Sequence, residues 1–598
     1  MHHTQKTMLK KINEIFGKTD DIVRRYPMVL LMSFLGAVSL MCFAHGNYNS
    51  NPNFFVFIKF ALVSCLGISL MFALKMLSQR IGKQILLEIS GIFFLVFFYF
   101  LLPQEEKYFT ERYAFLIIPA FILSHLLVSF IAFFGKEKEV NFWQYNKNLF
   151  INIFLTGVFT GVLTGGVELA ILAIDQLFSF NFNERYYLET FYFLSIFGSS
   201  FIFLLFNEKG LSALEKNGTY PVILKFFTQY ILIPLLLIYA VILYLYSAKI
   251  LINWELPRGW VSYLILAYSV VGILALLLVH PLKHESTTSW VRIFSKIFYF
   301  TLIPLLVLLF TAIFTRILEY GYTEPRYFVL LLAIWLTLVV FYFIFTPKST
   351  IKFVPVSLFA IGLFALVFPY LNTFSVAKRS QKTELKNILN QNSLVKNGKI
   401  DFSVKVSDTV ADEISNKIGF LVKRDEKEFV LNYMNLKHQK IITNKINKGD
   451  LYGIQSQVRS AFSNVDKTKN SFGENFELIA ENRLRFVQDY DFFARVGNFR
   501  DTEDLTVGQD VFTIRSQQKE KLLVITVNNN ENWDASREIK ALMAKYSNRT
   551  GRVSVPDITL EHDLGKYHIK IIFDNLIREN FGRENIYFSD AYILIRTR

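Results

Sequence analysis

Residues 149–178 read LFINIFLTGVFTGVLTGGVELAILAIDQLF, and only Glu168 and Asp175 in that run carry charge. A helix facing water shows a polar side; this one is apolar, glycine or threonine almost all the way round, so its surroundings are themselves apolar. At 1.5 Å per residue it extends about 45 Å, more than the roughly 30 Å of a bilayer's hydrocarbon core. Comparable runs stand on both sides of it: 28–44, 54–74, 85–102, 113–134, 187–206, 226–248, 260–280, 295–315, 327–345 and 353–370. The expected fold is therefore an all-α polytopic membrane bundle of about eleven transmembrane helices. A soluble α+β domain follows it.

Composition agrees with that division. The chain has 598 residues, 52% of them hydrophobic and 62 of them Phe, too apolar for a soluble enzyme of this length. The expected segments are a cytoplasmic stretch over 1–27, a transmembrane domain over 28–371 and a soluble domain over 372–598. Of the net charge of +15, nine units belong to the part ending at Leu371, where 28 Lys and Arg stand against 19 Asp and Glu. Basic loops are normal for a membrane bundle, so no nucleic-acid partner is implied. The two cysteines, Cys42 and Cys65, lie in apolar runs, leaving no disulfide framework and no Cys-based zinc site. The apolar run after Tyr26 lacks a small-residue cleavage site and reads as a retained first span.

Loop charges give the direction. One set of alternate loops, with the N-terminal segment, holds 20 basic residues, among them Arg24, Arg25, Lys75, Arg80, Lys136, Lys209, Lys283 and Lys348. The other set holds seven: Lys107, Arg112, Arg185, Lys249, Arg258, Arg316 and Arg326. The positive-inside rule then puts the N-terminus in the cytoplasm and the C-terminal domain outside, in the cytoplasmic (inner) membrane of a bacterium. Lys378, Arg379 and Lys382 run against that direction, but a long domain is translocated largely regardless of such charges.

A repeat marks the last part of the bundle. FTQYILIPLLLIYAVI (227–242) recurs 70 residues later as IFYFTLIPLLVLLFTA (297–312), predicting tandem helix hairpins near 226–280 and 295–345 in the same orientation. Aliphatic runs can resemble one another by chance. The matched Pro234 and Pro304 argue otherwise, because each removes a backbone hydrogen bond and kinks its helix.

Beyond Leu371 the spacing predicts helices over 378–392, 409–422 and 535–545, with strands over 402–406, 476–480, 492–499, 511–515, 522–527, 567–573 and 592–595. Asp489, Asp491, Asp501, Glu503 and Asp504 fit no calcium-loop spacing and read as a solvated acidic turn.

Chemistry is sparse. Gly157, Gly161 and Gly165 form overlapping G-x-x-x-G steps suited to close helix packing, interleaved with Thr156, Thr160 and Thr164. Glu168 and Asp175 follow on one face; carboxylates at depth usually face a bundle interior or a partner. Lys59, Arg316, Glu324 and Arg326 fall towards the same end, so a polar membrane site that pairs Glu168 with Arg316 or Lys59, or binds an anionic head group through the arginines, is one expectation. Snorkelling loop charges, with Asp175 at the surface, are the other. No G-x-S-x-G, phosphate-loop, H-E-x-x-H or G-x-G-x-x-G motif occurs. No catalytic residue, metal site or cofactor is expected, and the reading leans away from an enzyme.

ILIPLLLIYAVILYLY (231–246), WELPRGWVSY (254–263), LIPLLVLLF (302–310), RILEYGYTEPRY (316–327) and SVAKRSQ (375–381) resemble an uncharacterised family of bacterial multi-pass membrane proteins known as a domain of unknown function. The resemblance implies an integral membrane protein and supplies no activity. The leading expectation is a protein that binds or transports a small or lipidic solute, or that couples an extracytoplasmic domain to the bundle. The rivals are a membrane-embedded transferase on a lipid-linked substrate, with carboxylates as general bases, and an envelope scaffold or assembly protein. The lipid bilayer is the one partner the sequence itself names.

Overall fold

Every apolar run of the first 371 residues forms a helix, since away from water backbone N–H and C=O groups have only one another as partners. These helices are α1 (Pro27–His45), α2 (Phe55–Ile81), α3 (Gln84–Leu101), α4 (Glu111–Phe130), α5 (Glu139–Phe178), α6 (Glu184–Tyr192), α7 (Ser199–Phe206), α8 (Ile233–Asn253), α9 (Trp260–Leu278), α10 (Ser289–Tyr320), α11 (Glu324–Phe345) and α12 (Phe353–Val367). The computed structural model describes residues 19–46, 54–135, 138–180, 182–216, 220–253, 260–281, 289–462, 465–466, 476–482, 487–497, 502–518, 521–546, 551–580 and 584–598. Among them ten helical segments are long and apolar enough to cross a membrane, α6 and α7 forming one segment through a π-helical turn at Phe193–Gly198. The eleventh run gives a shorter helix: α12 stops after 15 residues at Val367, where Phe368 turns to extended backbone ahead of Pro369, as residues before proline do.

Among the described residues the bundle has two large cores and a small one of Tyr327, Leu331 and Ala365. One large core joins Ile22, Tyr26, Leu66, Phe72, Phe98, Tyr145 and Leu204; the other joins Leu236, Ile265, Phe298, Leu306 and Leu336 from the last four spans. Trp143 Nε1 donates to Leu277 O at 2.8 Å and the Tyr220 hydroxyl to Leu278 O at 2.9 Å, tying the halves together. The outside is apolar too: Phe93, Phe97, Phe154, Val162 and Leu169 all project from it, a surface that would aggregate in water.

The two halves of the repeat fall on α8–α9 and on α10–α11, and Tyr244 OH of α8 donates to Thr301 O of α10 at 2.7 Å. Their prolines differ in setting. Pro304 lies inside the continuous α10, whereas Pro234 follows a π-helical turn over Phe227–Leu232, which displaces the hydrogen-bond ladder where its missing N–H would have served. The Trp254–Pro257 motif lies outside the described residues.

The chain divides into two compact units, Met1–Val404 with Asp412–Ser463, and Lys405–Ala411 with Asn464–Arg598. Most of the helical stretch after Leu371 thus belongs with the bundle. It comprises α13 (Thr373–Gln391), α14 (Asp408–Val422), α15 (Lys427–Asn432), α16 (Leu436–Lys448) and α17 (Gly453–Ala461), referred to below as the cap. Within the predicted strand 402–406 only Val406 is extended, pairing with Val465; the chain turns at Phe402 and Ser403, where Asp401 Oδ1 accepts from Ser403 N.

The second unit is rich in strands. Of two short pairs, β1 Val395–Lys396 with β2 Lys399–Ile400 belongs to the first unit and β3 Val406–Ser407 with β4 Val465–Asp466 to the second. There follow β5 Phe476–Ala480, β6 Phe492–Gly497, β7 Thr502–Val507, β8 Asp510–Gln518, β9 Lys521–Val527, β10 Glu531–Asp534, β11 Gly551–Val555, β12 Ile558–Leu564, β13 Tyr567–Phe573, β14 Asn575–Asn580, β15 Glu584–Tyr587 and β16 Asp590–Thr597, in three four-stranded sheets of order β10-β9-β8-β7, β11-β5-β14-β15 and β12-β13-β16-β6. Alternate residues such as Ile569, Ile571 and Phe573 face one core with Phe476, Ile514, Ile525, Trp533 and Ile593. Glu503 and Asp504 of the expected acidic turn lie in β7 instead.

Candidate functional site

The membrane charges singled out above do not meet in one centre. Among the described residues no ion pair joins Glu168 to Lys59 or Arg316. Lys59 is buried on α2, its ammonium 4.1 Å from the centre of the Tyr99 ring and 3.5 Å from Leu102 O. Arg316 stays at the rim with Glu319 at 3.9 Å, and Arg326 Nη1 donates to Gly321 O at 2.7 Å. Asp175 Oδ1 accepts from Phe182 N at 2.7 Å, so it orders the turn that ends α5. These groups sit on different helices.

Glu324 has the partner that sequence spacing could not reveal. It opens α11 and is wholly buried; Arg424, just beyond α14 in the cap, donates from Nε to its Oε1 at 2.6 Å and from Nη2 to its Oε2 at 2.9 Å. Such a two-pronged pair is the strong form of the contact. The guanidinium also stacks 3.4 Å over the Phe420 ring. Around this latch, Gln381 Nε2 donates to Tyr320 O and Tyr322 O at 2.9 Å each, Thr110 Oγ1 donates to Lys423 O at 3.2 Å, and Arg112 pairs with Asp425. The loops before α4 and between α10 and α11 therefore carry the cap.

Glu426 adds a pH-sensitive contact, with Lys378 Nζ at 3.0 Å and Lys382 Nζ at 2.5 Å. Burial opposes its ionisation, but the hydrogen bonds from Lys382 and Lys378 outweigh it and hold the carboxyl below its ordinary range. A depressed folded-state value means that this stabilisation is complete above the unfolded value of about 4.3 and is lost as pH falls through the folded one. Hydrogen exchange in α15 should accordingly stay flat from pH 7 to 5 after correction for intrinsic rates and rise below about pH 4, with a weaker rise in Glu426→Gln. Identical profiles for the two proteins would dissociate Glu426 from the cap's stability.

On α5 a polar ridge recurs every fourth residue: Asn148, Asn152, Thr156, Thr160, Thr164 and Glu168. This is one row of a helix surface. Its first half is satisfied, Asn148 by Leu214 O at 2.7 Å and Asn152 by Asn207 Oδ1 at 3.0 Å. In its second half the hydroxyls of Thr160 and Thr164 and Glu168 Oε1 are buried without a hydrogen-bond partner among the described residues, as is the hydroxyl of Tyr187 on α6. Gly157, Gly161 and Gly165 look elsewhere: a Cβ at any of them would meet nothing within 4 Å, so among the described residues they bring no helix close. Close approach occurs instead at Gly67, Gly91 and Gly272, where a Cβ would stand 2.9, 2.7 and 2.1 Å from Met32, Leu74 and Phe298.

Where the ridge begins, α1, α2, α4, α5 and α7 enclose a groove of about 390 Å³. Val29, Ile68, Phe72, Leu149, Ile153 and Phe203 make it mostly apolar. Its polar lining is largely satisfied within the protein: Ser69 bonds Ser124 at 2.7 Å, and Ser129 donates to Asn146 Oδ1 at 2.6 Å. His125 Nδ1 lies 2.8 Å from Phe121 O. A bond to a carbonyl needs the proton on Nδ1, which leaves Nε2 of the neutral ring as an acceptor. Of these groove residues only Thr156 and His125 stand out in the sequence, His125 as a histidine at the interface or hydrogen-bonded within the bundle, because single Ser residues on separate helices share no spacing. Among the described residues no group of His, Cys, Asp and Glu is placed to hold a metal ion.

Comparison with known proteins places this architecture. The family described as a domain of unknown function (DUF4153) matches residues 30–396, well over half of the chain. The chain belongs to that family. The family region takes in the bundle and α13 and stops before α14, so Glu324 falls inside it and Arg424 outside. An uncharacterized protein of Pasteurella multocida (strain Pm70), PM1469, is 31% identical over 225 residues, 36% of this chain and 37% of that relative. The match thus covers little more than a third of the relative's length. No solved structure matches the chain.

Proposed function

We propose that this DUF4153 protein is an integral protein of a bacterial cytoplasmic membrane that binds a lipidic or similarly amphipathic small solute in the groove between α2, α4 and α5. The observation that carries the reading is the groove itself. A space of about 390 Å³ with apolar walls and a few fixed polar groups is the usual form of a small-ligand site. Its apolar lining suits an acyl or isoprenoid-like chain, and the acceptor at His125 Nε2 suits a hydroxyl or amide donor. The loop charges support a cytoplasmic N-terminus, which sets the cap and the strand-rich unit outside.

Coupling of an outer domain to the bundle is a second reading, favoured by the Glu324–Arg424 latch, which fixes the cap to the first turn of a spanning helix. The two readings are compatible. A transferase has less support, because Glu168 and Asp175 do not line the groove.

Ile153→Trp tests the binding reading, since Ile153 is exposed on the groove wall and can be enlarged without disturbing a core. Native mass spectrometry of the detergent-purified chain should show a bound lipidic species that the variant loses, at unchanged Tm. Equal occupancy in the two proteins, or none in either, would remove the groove from the account.

A further inference from the structure

We infer that a second cavity, about 400 Å³ and bounded by Arg25, Lys75, Gln79, Arg80, Lys209 and Glu215, is a binding site for a phosphate-bearing anion at the basic end of the bundle. Arg25 stands just ahead of α1, Lys75, Gln79 and Arg80 occupy the last two turns of α2, and Lys209 and Glu215 lie on the link after α7. Four cations thus face one carboxylate across a concave space.

That carboxylate is committed. Glu215 Oε2 takes Arg80 Nη2 at 2.7 Å, and Arg80 Nε donates to Ala132 O at 3.1 Å, so this guanidinium is held from two sides. Lys75 Nζ is anchored on Gln84 Oε1 at 2.8 Å. The wall between them is fixed as well, because Gln79 Oε1 accepts from Leu211 N at 2.7 Å. Gly210, at φ +70°, permits this approach: a Cβ there would stand 2.5 Å from Gln79 Oε1. Arg25 and Lys209, by contrast, have no hydrogen-bond or ion-pair partner among the described residues.

Loop cations that merely snorkel spread apart into water, since like charges repel. Here two are anchored beside two unpaired ones, around a space large enough for a ligand. Lys and Arg donors around such a space match the several acceptor oxygens and negative charge of a phosphate group. The cavity lies at the end of α1 and α2, the level at which lipid head groups would meet the protein. A lipid phosphate and a free phosphate offer the same chemistry. The site does not depend on the groove reading, for either can be occupied with the other empty.

The test uses the full chain in a non-ionic detergent, with inorganic phosphate, pyrophosphate and phosphatidylglycerol as probes and phosphatidylcholine as the control without net charge. Binding is read by titration calorimetry and by the shift in Tm. Arg25→Gln/Lys209→Gln removes the two unpaired cations and should keep the Tm of the anion-free protein. Saturable binding at least tenfold weaker in the double variant is expected. A response to the free anions and to phosphatidylglycerol would show that the phosphate group itself is read; a response to phosphatidylglycerol alone would assign a lipid head group. No saturable binding of any probe, equal affinity in the double variant, or equal binding of phosphatidylcholine would overturn the site. Should the double variant fail to fold, Lys209→Glu alone, on an exposed side chain, must show the same loss.

Discussion

Arg424→Met should lower the stability of the chain by about 3–5 kcal/mol, because it leaves the Glu324 carboxylate buried with no donor. Glu324 is 0% exposed and Arg424 3%, so water cannot take over either half of the pair. The companion variant Glu324→Leu/Arg424→Met should recover most of the loss, since replacing both members of a buried pair with apolar groups is often neutral. Thermal unfolding in detergent, followed by protease cleavage within α13–α17, measures both effects. If the two single substitutions simply add in the double variant, the residues act independently and the latch is not one.

Gly272→Val carries the other large effect, a loss of about 1–3 kcal/mol from overpacking. The new Cβ would fall 2.1 Å from Phe298 Cζ. That ring is itself buried and hemmed in by Tyr268, Phe294 and Tyr299, so it has no open side into which to turn. Gly161→Val is the matched control, with nothing within 4 Å of its Cβ. Its Tm should be unchanged or slightly raised, as glycine is a poor helix former. A drop in Gly161→Val as deep as that in Gly272→Val would mean that the face of α5 bearing Gly161 packs against a neighbour.

How much could be read from the residues alone follows from how local each signal is. Hydropathy is a property of consecutive residues, and all eleven apolar helices follow it, although α5 begins at Glu139, ten residues before the run that suggested it. Strands with clean alternation, such as Phe476–Ala480 and Tyr567–Phe573, were equally legible. The short α15 and α17 were not, because a helix of six or nine residues contains too few turns to establish a period. Strand β12 hid for another reason: its middle, Glu561 to Asp563, is exposed and charged. For the site, Glu168 stands out in the sequence as a carboxylate within an apolar run, and its Oε1 is buried without a hydrogen-bond partner among the described residues. Pairings such as Glu324 with Arg424 or Ser69 with Ser124 connect residues 100 and 55 apart, and only the packing of helices decides them.

The latch also fixes an order of events during synthesis. Glu324 leaves the ribosome 100 residues ahead of Arg424, an interval of about 5–20 s at roughly 5–20 residues per second. For that time α11 must keep its first residue hydrated at the rim. The bundle is therefore finished last at that corner, when the cap arrives and excludes water from the carboxylate. A chain ended at Leu371, where hydropathy changes, would be caught permanently in the unfinished state. One ended near Ser463 would carry its own closure.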